Sequence, residues 1–435
     1  MRPDFLRPWR AAAWDHGAAS HLLRRAGFGG TPAEVAEALS LGPQETLERA
    51  FLDRGDPSLH ASIEPLLSAG GIESLQAWWM SLILESGAPL RERMALVWHD
   101  HFATSNDKVD DVRLMHRQNE LFRASGLGDF RELLHDVARD AAMLVWLDGN
   151  SNRAEQPNEN FARELLELFA LGIGSYTEDD VREVARAFSG WGTEGRSSTF
   201  RAEHHDARPK TIFGHTGAWT GDDALELVLE HPACCRHVAR VLLEAFVMPS
   251  PADEWVEGVA GLLLECEWGV ARTLEVLLAS ELFFSSAARR SRIAGPVELV
   301  AATARALDAR IAPRLAARMA SDMGQALFRP PSVKGWDGGR HWIHSGTWIA
   351  RHNALVELAT AAQVGDGRVH VDLERSFGDA LDALPGRALA ALIPNGSSTR
   401  FEQTLASAAR GARDANHARQ VVAAVVLTAP EYHLY

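Results

Sequence analysis

Cysteine, long apolar runs and lysine are all scarce in this chain of 435 residues. The three cysteines, Cys234, Cys235 and Cys266, are too few for a disulfide framework and lack the C-x-x-C spacing of a zinc site, so we expect reduced thiols. No apolar stretch approaches the ~20 residues of a membrane-spanning helix. Arg7 and Pro8 interrupt the N-terminal region before an apolar segment can form, unlike in a signal peptide. These absences favour a soluble, cytoplasmic protein.

Basic residues are also fewer than acidic ones. Lysine and arginine together number 44 against 58 aspartates and glutamates, which gives a formal net charge of −14. This balance opposes non-specific binding to nucleic acid, because such binding needs a positive field along the phosphates. We expect no nucleic-acid partner. An acidic total is still compatible with a local basic pocket, so small phosphorylated substrates stay open.

The composition and the helix-start signals predict an all-α fold. Hydrophobic residues make up 46% of the chain and charged residues 23%, as in globular proteins. Thr31-Pro32 followed by Glu34 has the pattern of a capping box, and similar signals occur at Asp129 and Thr177. We predict one large multi-helix domain over residues 1–435, possessing long ordered loops, or two packed lobes. The predicted parts are a helical lobe at about 18–190, a loop region at about 190–221 with a short β-hairpin near 196–214, and a second helical lobe at about 222–435.

Two histidines lie in the segment RERMALVWHDHFATS, residues 91–105. At 100° per residue, His99 and His101 fall on opposite flanks of the apolar helix face, so a regular helix cannot direct both at one metal ion. They converge only if the helix ends near His101. Metal binding or acid–base work by at least one of them is one interpretation. Boundary histidines bonded to backbone or carboxylate groups are the other.

A stronger candidate is DGN at residues 148–150, followed by PNENFARELLELF at residues 157–169. On a helical wheel the apolar residues of the second segment form a core face, opposite a polar stripe of Asn160, Arg163, Glu164 and Glu167. Glu164 and Glu167 point the same way, and this i, i+3 spacing occurs where helices supply carboxylates to metals. A solvated face with ion pairs to arginine is the alternative.

The third candidate is HHDARPK at residues 204–210, where His205 and Asp206 are the residue types of metal sites and proton transfer. The distribution of lysine adds a separate argument. Lysine occurs only at Lys108, Lys210 and Lys334, and each lies in an irregular segment next to a candidate motif. Because lysine is a compact charge with a shiftable pKa, this placement predicts that the three loops converge, unless it arose by chance.

The chain also has 13 tryptophans, Trp336 among them, which fit either a sugar-stacking platform or core packing.

Several segments of the chain resemble motifs of a bacterial family called domain of unknown function 1800, and they occur in the same order. They are HLLRRAGFG (21–29), WHDHFATS (98–105), AMLVWLDG (142–149), PNENFARELLELF (157–169), HD (205–206) with Lys210, PPSVKGW (330–336) and APEY (429–432). The resemblance implies that these polar residues form a shared site. It also implies a sulfatase-like neighbour protein, since members are often encoded beside one and many look exported.

The leading hypothesis is a metal-dependent hydrolase with one buried polar site and a small-molecule or glycan substrate. A divalent ion is the expected cofactor, because it lowers the pKa of bound water from 15.7 toward ~7. The predicted metal ligands are His99, His101, Asp148, His205 and Asp206. The predicted catalytic residues are Glu164, Glu167, Lys210 and Lys334, and the predicted substrate contacts are Asn150, Asn160, Arg163 and Trp336. The alternatives are a redox-metal oxidoreductase and a non-catalytic module that binds a glycan or a protein.

Overall fold

The computed structural model describes residues 2–10, 14–51, 63–85, 87–360, 369–394 and 398–435. Within these ranges the chain is mostly α-helical, as predicted, with three small two-stranded sheets. None of the helices in these ranges has both the length and the apolar character that a membrane crossing requires.

Helices of the first half surround the predicted site segments. They are α1 (His16–Ala26), α2 (Pro32–Phe51, broken at Gly42), α3 (Ile63–Ala69), α4 (Ile72–Glu85), α5 (Pro89–His101), α6 (Asn106–Val109), α7 (Val112–Ser125), α8 (Phe130–Ala138), α9 (Ala141–Trp146), α10 (Asn160–Glu164), a π-helical segment (Leu165–Ala170) and α11 (Glu178–Ala187). Short 3-10 turns occur at Asp4–Leu6, Gly149–Ser151 and Ala202–His204.

Helices of the second half pack against this group. They are α12 (Gly221–Glu230), α13 (Pro232–Phe246), α14 (Asp253–Glu265), α15 (Val270–Leu278), α16 (Pro296–Ala306), α17 (Pro313–Asp322), α18 (Ser345–Thr360), α19 (Leu373–Phe377), α20 (Leu384–Leu392), α21 (Thr399–Arg410) and α22 (Ala415–Leu427). Further 3-10 turns lie at Gly339–Trp342, Leu381–Ala383 and Pro430–His433.

The β structure consists of antiparallel pairs. β1 (Trp191–Glu194) pairs with β2 (Ser197–Phe200), β3 (Lys210–Ile212) with β4 (His215–Gly217), and β5 (Arg310–Ile311) with β6 (Val369–His370). The hairpin predicted near 196–214 is therefore two hairpins, one on each side of the 3-10 turn Ala202–His204.

The predicted helix starts form through side-chain caps. At α2, the Thr31 N–H donates to the Glu34 carboxylate at 2.7 Å, while the Glu34 N–H donates to the Thr31 hydroxyl at 3.2 Å. Thr177 and Asp180 form the same reciprocal pair at α11. Such caps satisfy backbone N–H groups that the first helical turn leaves unpaired, which is why the short sequence pattern suffices to predict them.

One continuous apolar core extends from Leu6 to Tyr435, and it includes the fully buried Trp79 and Trp98. These two tryptophans therefore pack in the core. All three cysteines are free thiols, and Cys234 is buried. The division into lobes at 190 and 222 stays a prediction.

Candidate functional site

Three polar side chains from different sequence segments meet beside α9. The Lys108 ammonium lies 2.8 Å from one carboxylate oxygen of Asp148, and the Asn160 amide N–H donates to the other at 3.0 Å. Lys108 also donates to the Trp146 carbonyl at 2.6 Å. We call Lys108, Asp148 and Asn160 the Asp148 cluster. It is open to solvent, because the side chains of Lys108 and Asp148 are 41% and 44% exposed.

The backbone presents Asp148 in an unusual way. Asp148 follows α9 with a φ of 60°, in the left-handed region that non-glycine residues rarely adopt. At the other end of α9, Asp140 caps the helix and accepts a hydrogen bond from Gln118 at 2.8 Å. Burial raises the pKa of Asp140 to about 6. Aspartate adopts the left-handed region more readily than most non-glycine residues, so Asp148 can hold this φ at the end of α9 without large strain.

Glu164 lies one helical turn beyond Asn160, on the same side of α10. Its carboxylate is half-buried and makes no hydrogen bond or ion pair within the described residues. Burial raises the pKa of Glu164, and the negative charge of Glu167 raises it further. Glu167 itself accepts a hydrogen bond from the Tyr176 hydroxyl at 2.9 Å. We call Glu164 and Glu167 the glutamate pair.

The helix changes register directly after Glu164. Leu165–Ala170 is π-helical, a form that is rare and occurs often at functional sites. Two histidine Nε2–H groups donate to carbonyls near its end, His101 to Phe169 at 2.9 Å and His237 to Leu168 at 2.8 Å. Burial lowers the pKa of His101 to about 3, and the nearby His237 contributes to this shift. Both imidazoles therefore act here as neutral hydrogen-bond donors to the backbone.

The neighbours of His101 on α5 hold a different loop, residues 328–339. His99 Nε2 accepts the Phe328 N–H at 3.0 Å, and burial lowers the pKa of His99 to about 3. Asp100 accepts the Trp336 N–H at 2.8 Å, and burial raises the pKa of its carboxyl to about 7. α5 does end at His101, as convergence of the two histidines requires, yet His99 and His101 bind separate backbone segments.

The segment 204–210 forms its own ion-paired group. Asp206 is bonded to Arg208 at 2.6 Å and to Arg186 at 2.8 Å, and these hydrogen bonds hold the pKa of its carboxyl well below the usual range. The buried Lys210 donates to the carbonyls of Asp206 and Arg208, and His205 Nδ1–H donates to the Ser189 carbonyl at 2.9 Å. Backbone carbonyls of its own turn thus hold the Lys210 ammonium, while Lys108 is bonded to Asp148 and Trp146. The convergence of the three lysine loops stays a prediction.

The remaining predicted residues already have partners. Asn150 is bonded through its amide to Thr193, and Arg163 forms ion pairs with Glu159 and Glu178. The exposed Lys334 pairs with Asp337 at 2.6 Å. The buried Trp336 ring packs edge-on against His99, with ring centroids 5.6 Å apart. None of these contacts tests a role in substrate binding or catalysis, which stays a prediction.

Among the described residues, no group of three or more histidine, cysteine, aspartate or glutamate side chains has an arrangement that could hold a metal ion. The predicted five-residue ligand set is therefore not assembled in this part of the chain. His99, His101 and His205 are hydrogen-bonded to backbone groups, Asp206 is paired with arginines, and Asp148 is bonded to Lys108 and Asn160. A metal cofactor stays a prediction.

Sequence reasoning missed the structural roles of three side chains, namely those of Asp100, Tyr176 and His237. Asp100 stands between the two histidines that were singled out, and this position in the motif was the available sequence signal. His237 gave no signal, because its partner Leu168 is 69 residues away. Tyr176 gave none either, because its bond to Glu167 joins residues on the two sides of the connection between the π-helical segment and α11.

The sequence model of one protein family matches residues 21–434 of this chain, and the family is described as "Protein of unknown function (DUF1800)". No curated protein and no solved structure matches the chain.

Proposed function

The chain belongs to the DUF1800 family, and we propose that it is a hydrolase in which Glu164 takes the proton from the attacking water. One observation carries this proposal. Glu164 is a half-buried carboxylate with a raised pKa and no hydrogen-bond partner in the described residues. It lies one helical turn from Asn160 of the Asp148 cluster, in which the charged groups of Lys108 and Asp148 are paired with each other. A general base works best when its pKa lies near the working pH and its lone pairs are available.

The neighbouring residues supply the other parts of such a reaction. Lys108 has a third N–H beyond its bonds to Asp148 and Trp146, and Asn160 has a second amide N–H beyond its bond to Asp148. These donors suit an oxygen that becomes negative as water adds to an electrophilic centre. Asp148 positions both of them.

The step balances without an added reactant. Water loses a proton to Glu164 while its oxygen bonds to the electrophilic carbon, the bond to the leaving group then breaks, and the leaving group receives the proton. Asn160 and Glu164 are one helical turn apart, so their Cβ atoms are about 5–6 Å apart, and a small reacting group fits alongside both. The polar stripe has two carboxylates, Glu164 and Glu167, and one cation, Arg163. An uncharged ester, amide or glycoside therefore suits it better than an anionic substrate.

The experiment measures turnover of p-nitrophenyl acetate, a p-nitroanilide and p-nitrophenyl glycosides by the wild type and by Glu164→Gln. We expect the variant to lose 10²–10⁴-fold in kcat on any substrate that the wild type turns over, as is typical for removal of a general base. Glu275→Gln on α15, which changes an exposed glutamate, is the matched control. Turnover that is absent, or equal in Glu164→Gln, would contradict the proposal.

Metal content, measured on the same samples, tests the metal-assisted form of this hypothesis. A stoichiometric divalent ion that Glu164→Gln loses would support it. Active, metal-free protein would restrict the mechanism to acid–base chemistry by the side chains.

The alternative of a non-catalytic binding module also has an observation in its favour, namely that Asp206, Arg163 and Lys334 all form internal ion pairs. In that case Glu164→Gln leaves every measured activity unchanged and alters only the stability of the protein.

A further inference from the structure

A pocket that shares no lining residue with the Asp148 cluster or the glutamate pair lies between α1, the segment 286–290 and the turn Pro430–His433. Its cavity volume is about 220 Å³. Three arginines line it, Arg24 from α1 and Arg289 with Arg290 from the segment after α15. Glu431 is the one acidic side chain in its described lining. A cationic pocket is unexpected in a chain with a formal net charge of −14.

These arginines lack the partners that arginine normally has in a folded protein. Within the described ranges, no carboxylate forms an ion pair with Arg24, Arg289 or Arg290, whereas Arg163 and Arg186 are each paired with two. The Nε–H groups of Arg289 and Arg290 are buried without any hydrogen-bond acceptor. A buried donor without an acceptor is unfavourable, so these two guanidinium groups are not satisfied by the protein alone.

The arginines are nevertheless held in place. Arg24 donates to the Leu392 carbonyl at 2.8 Å and lies over the Tyr435 ring, with 5.3 Å from guanidinium carbon to ring centroid. Arg289 lies over the Trp9 and Phe284 rings, 5.8 Å from each centroid. These contacts hold the guanidinium groups of Arg24 and Arg289, while Arg290 has a backbone φ of 56°, in the left-handed region. Such positioning reduces the entropy that a ligand must otherwise overcome when it binds a flexible arginine.

We propose that this pocket binds the phosphate group of a small phosphate ester. Guanidinium groups match phosphate oxygens in two-point hydrogen bonds, and Ser20 and Ser286 line the same space. Ile393, Pro394 and Leu434 provide an apolar wall for the organic part. The cavity is smaller than the 300–1,000 Å³ of pockets for drug-sized ligands, which restricts the ester to a compact one.

The test measures binding of glycerol 3-phosphate by titration calorimetry at constant ionic strength, with glycerol and succinate as reference compounds. We expect saturable binding of glycerol 3-phosphate only. Arg290→Gln and Arg289→Gln should each weaken it by about ten-fold or more, because each removes a charge-assisted hydrogen bond. Arg318→Gln, an exposed arginine on α17 without a partner among the described residues, is the matched control and should bind as the wild type does.

A variant with the opposite sign separates binding from damage to the fold. Glu431→Gln removes the acidic side chain from the lining, so we expect tighter binding by about two-fold or more, since like charges oppose each other at short range. Absence of saturable binding, equal binding of succinate, or equal weakening in Arg318→Gln would overturn the proposal. The readout is binding rather than turnover, so its failure leaves the proposed role of Glu164 untouched, and the reverse also holds.

Discussion

The carboxylate of Asp100 accepts a hydrogen bond from the backbone N–H of Trp336 at 2.8 Å, and this bond fixes the loop 328–339 to the end of α5. His99 adds a second attachment through the Phe328 N–H at 3.0 Å. Gly335 lets the loop approach, because a Cβ atom at this position would lie 2.3 Å from Asp100 Oδ1. Two segments separated by more than 200 residues are thus joined, because two consecutive side chains of α5 accept hydrogen bonds from backbone N–H groups of the loop.

The close approach at Gly335 predicts a large effect of one added methyl group. Gly335→Ala should lower the free energy of unfolding by about 2–4 kcal/mol, because the Cβ meets Asp100 and because φ is 82°. Gly339→Ala is the control, since Gly339 also has a positive φ of 51° but no atom within 4 Å of the added Cβ. Urea unfolding measures both. Equal losses in the two variants would show that backbone conformation alone matters.

Burial of Asp100 predicts a specific pH dependence. Its pKa rises from 3.8 in the unfolded chain to about 7 in the folded one, so between these values the folded state binds more protons. The contribution of Asp100 to stability therefore falls as pH rises from 4 to 7, by roughly 1–4 kcal/mol.

Asp100→Asn should remove that decline while keeping an oxygen that accepts the Trp336 N–H. The measurement is the free energy of unfolding at pH 4.5 and 7.5 for the wild type, for Asp100→Asn and for Asp110→Asn as an exposed control. Parallel pH profiles in all three proteins would contradict the assignment of this pH dependence to Asp100.

Local sequence patterns predicted most of the fold because the interactions behind them are local. Thr177 and Asp180 are three residues apart, and their reciprocal cap depends on little else. The π-helical register of Leu165–Ala170 was not predicted, since a helical wheel assumes regular α-helix. The core face still agrees, with Phe161, Leu165 and Phe169 buried.

The candidate site was predicted only in part, for a physical reason. Asp148 and Asn160 are twelve residues apart, and their contact follows from a short connection between two helices. His101 instead meets the Phe169 carbonyl, which is 68 residues away. Such a partner depends on how distant helices pack, and residue type alone does not distinguish a histidine that caps a carbonyl from one that binds a metal.

The Asp148 cluster predicts a separation of activity from stability. Asp148→Asn keeps a residue type that tolerates positive φ and removes a largely exposed ion pair, so it should change the free energy of unfolding by less than about 1 kcal/mol. Turnover should fall about ten-fold or more, because Lys108 loses its carboxylate partner and its position. Asp253→Asn, which removes the exposed pair with Arg240, is the control and should keep full turnover. A parallel loss of stability and turnover would assign Asp148 a structural role only.

The glutamate pair predicts a shift in the pH profile of kcat. The negative charge of Glu167 raises the pKa of Glu164, so Glu167→Gln should lower that pKa. The proposed mechanism needs the ionised form of Glu164, and the acidic limb of the profile should therefore move to lower pH. Tyr176→Phe removes the hydroxyl that donates to Glu167 but leaves the charge in place, so it should move the limb much less. An acidic limb that stays where it is in Glu167→Gln, on a substrate that the wild type hydrolyses, would mean that a group other than Glu164 accepts the proton.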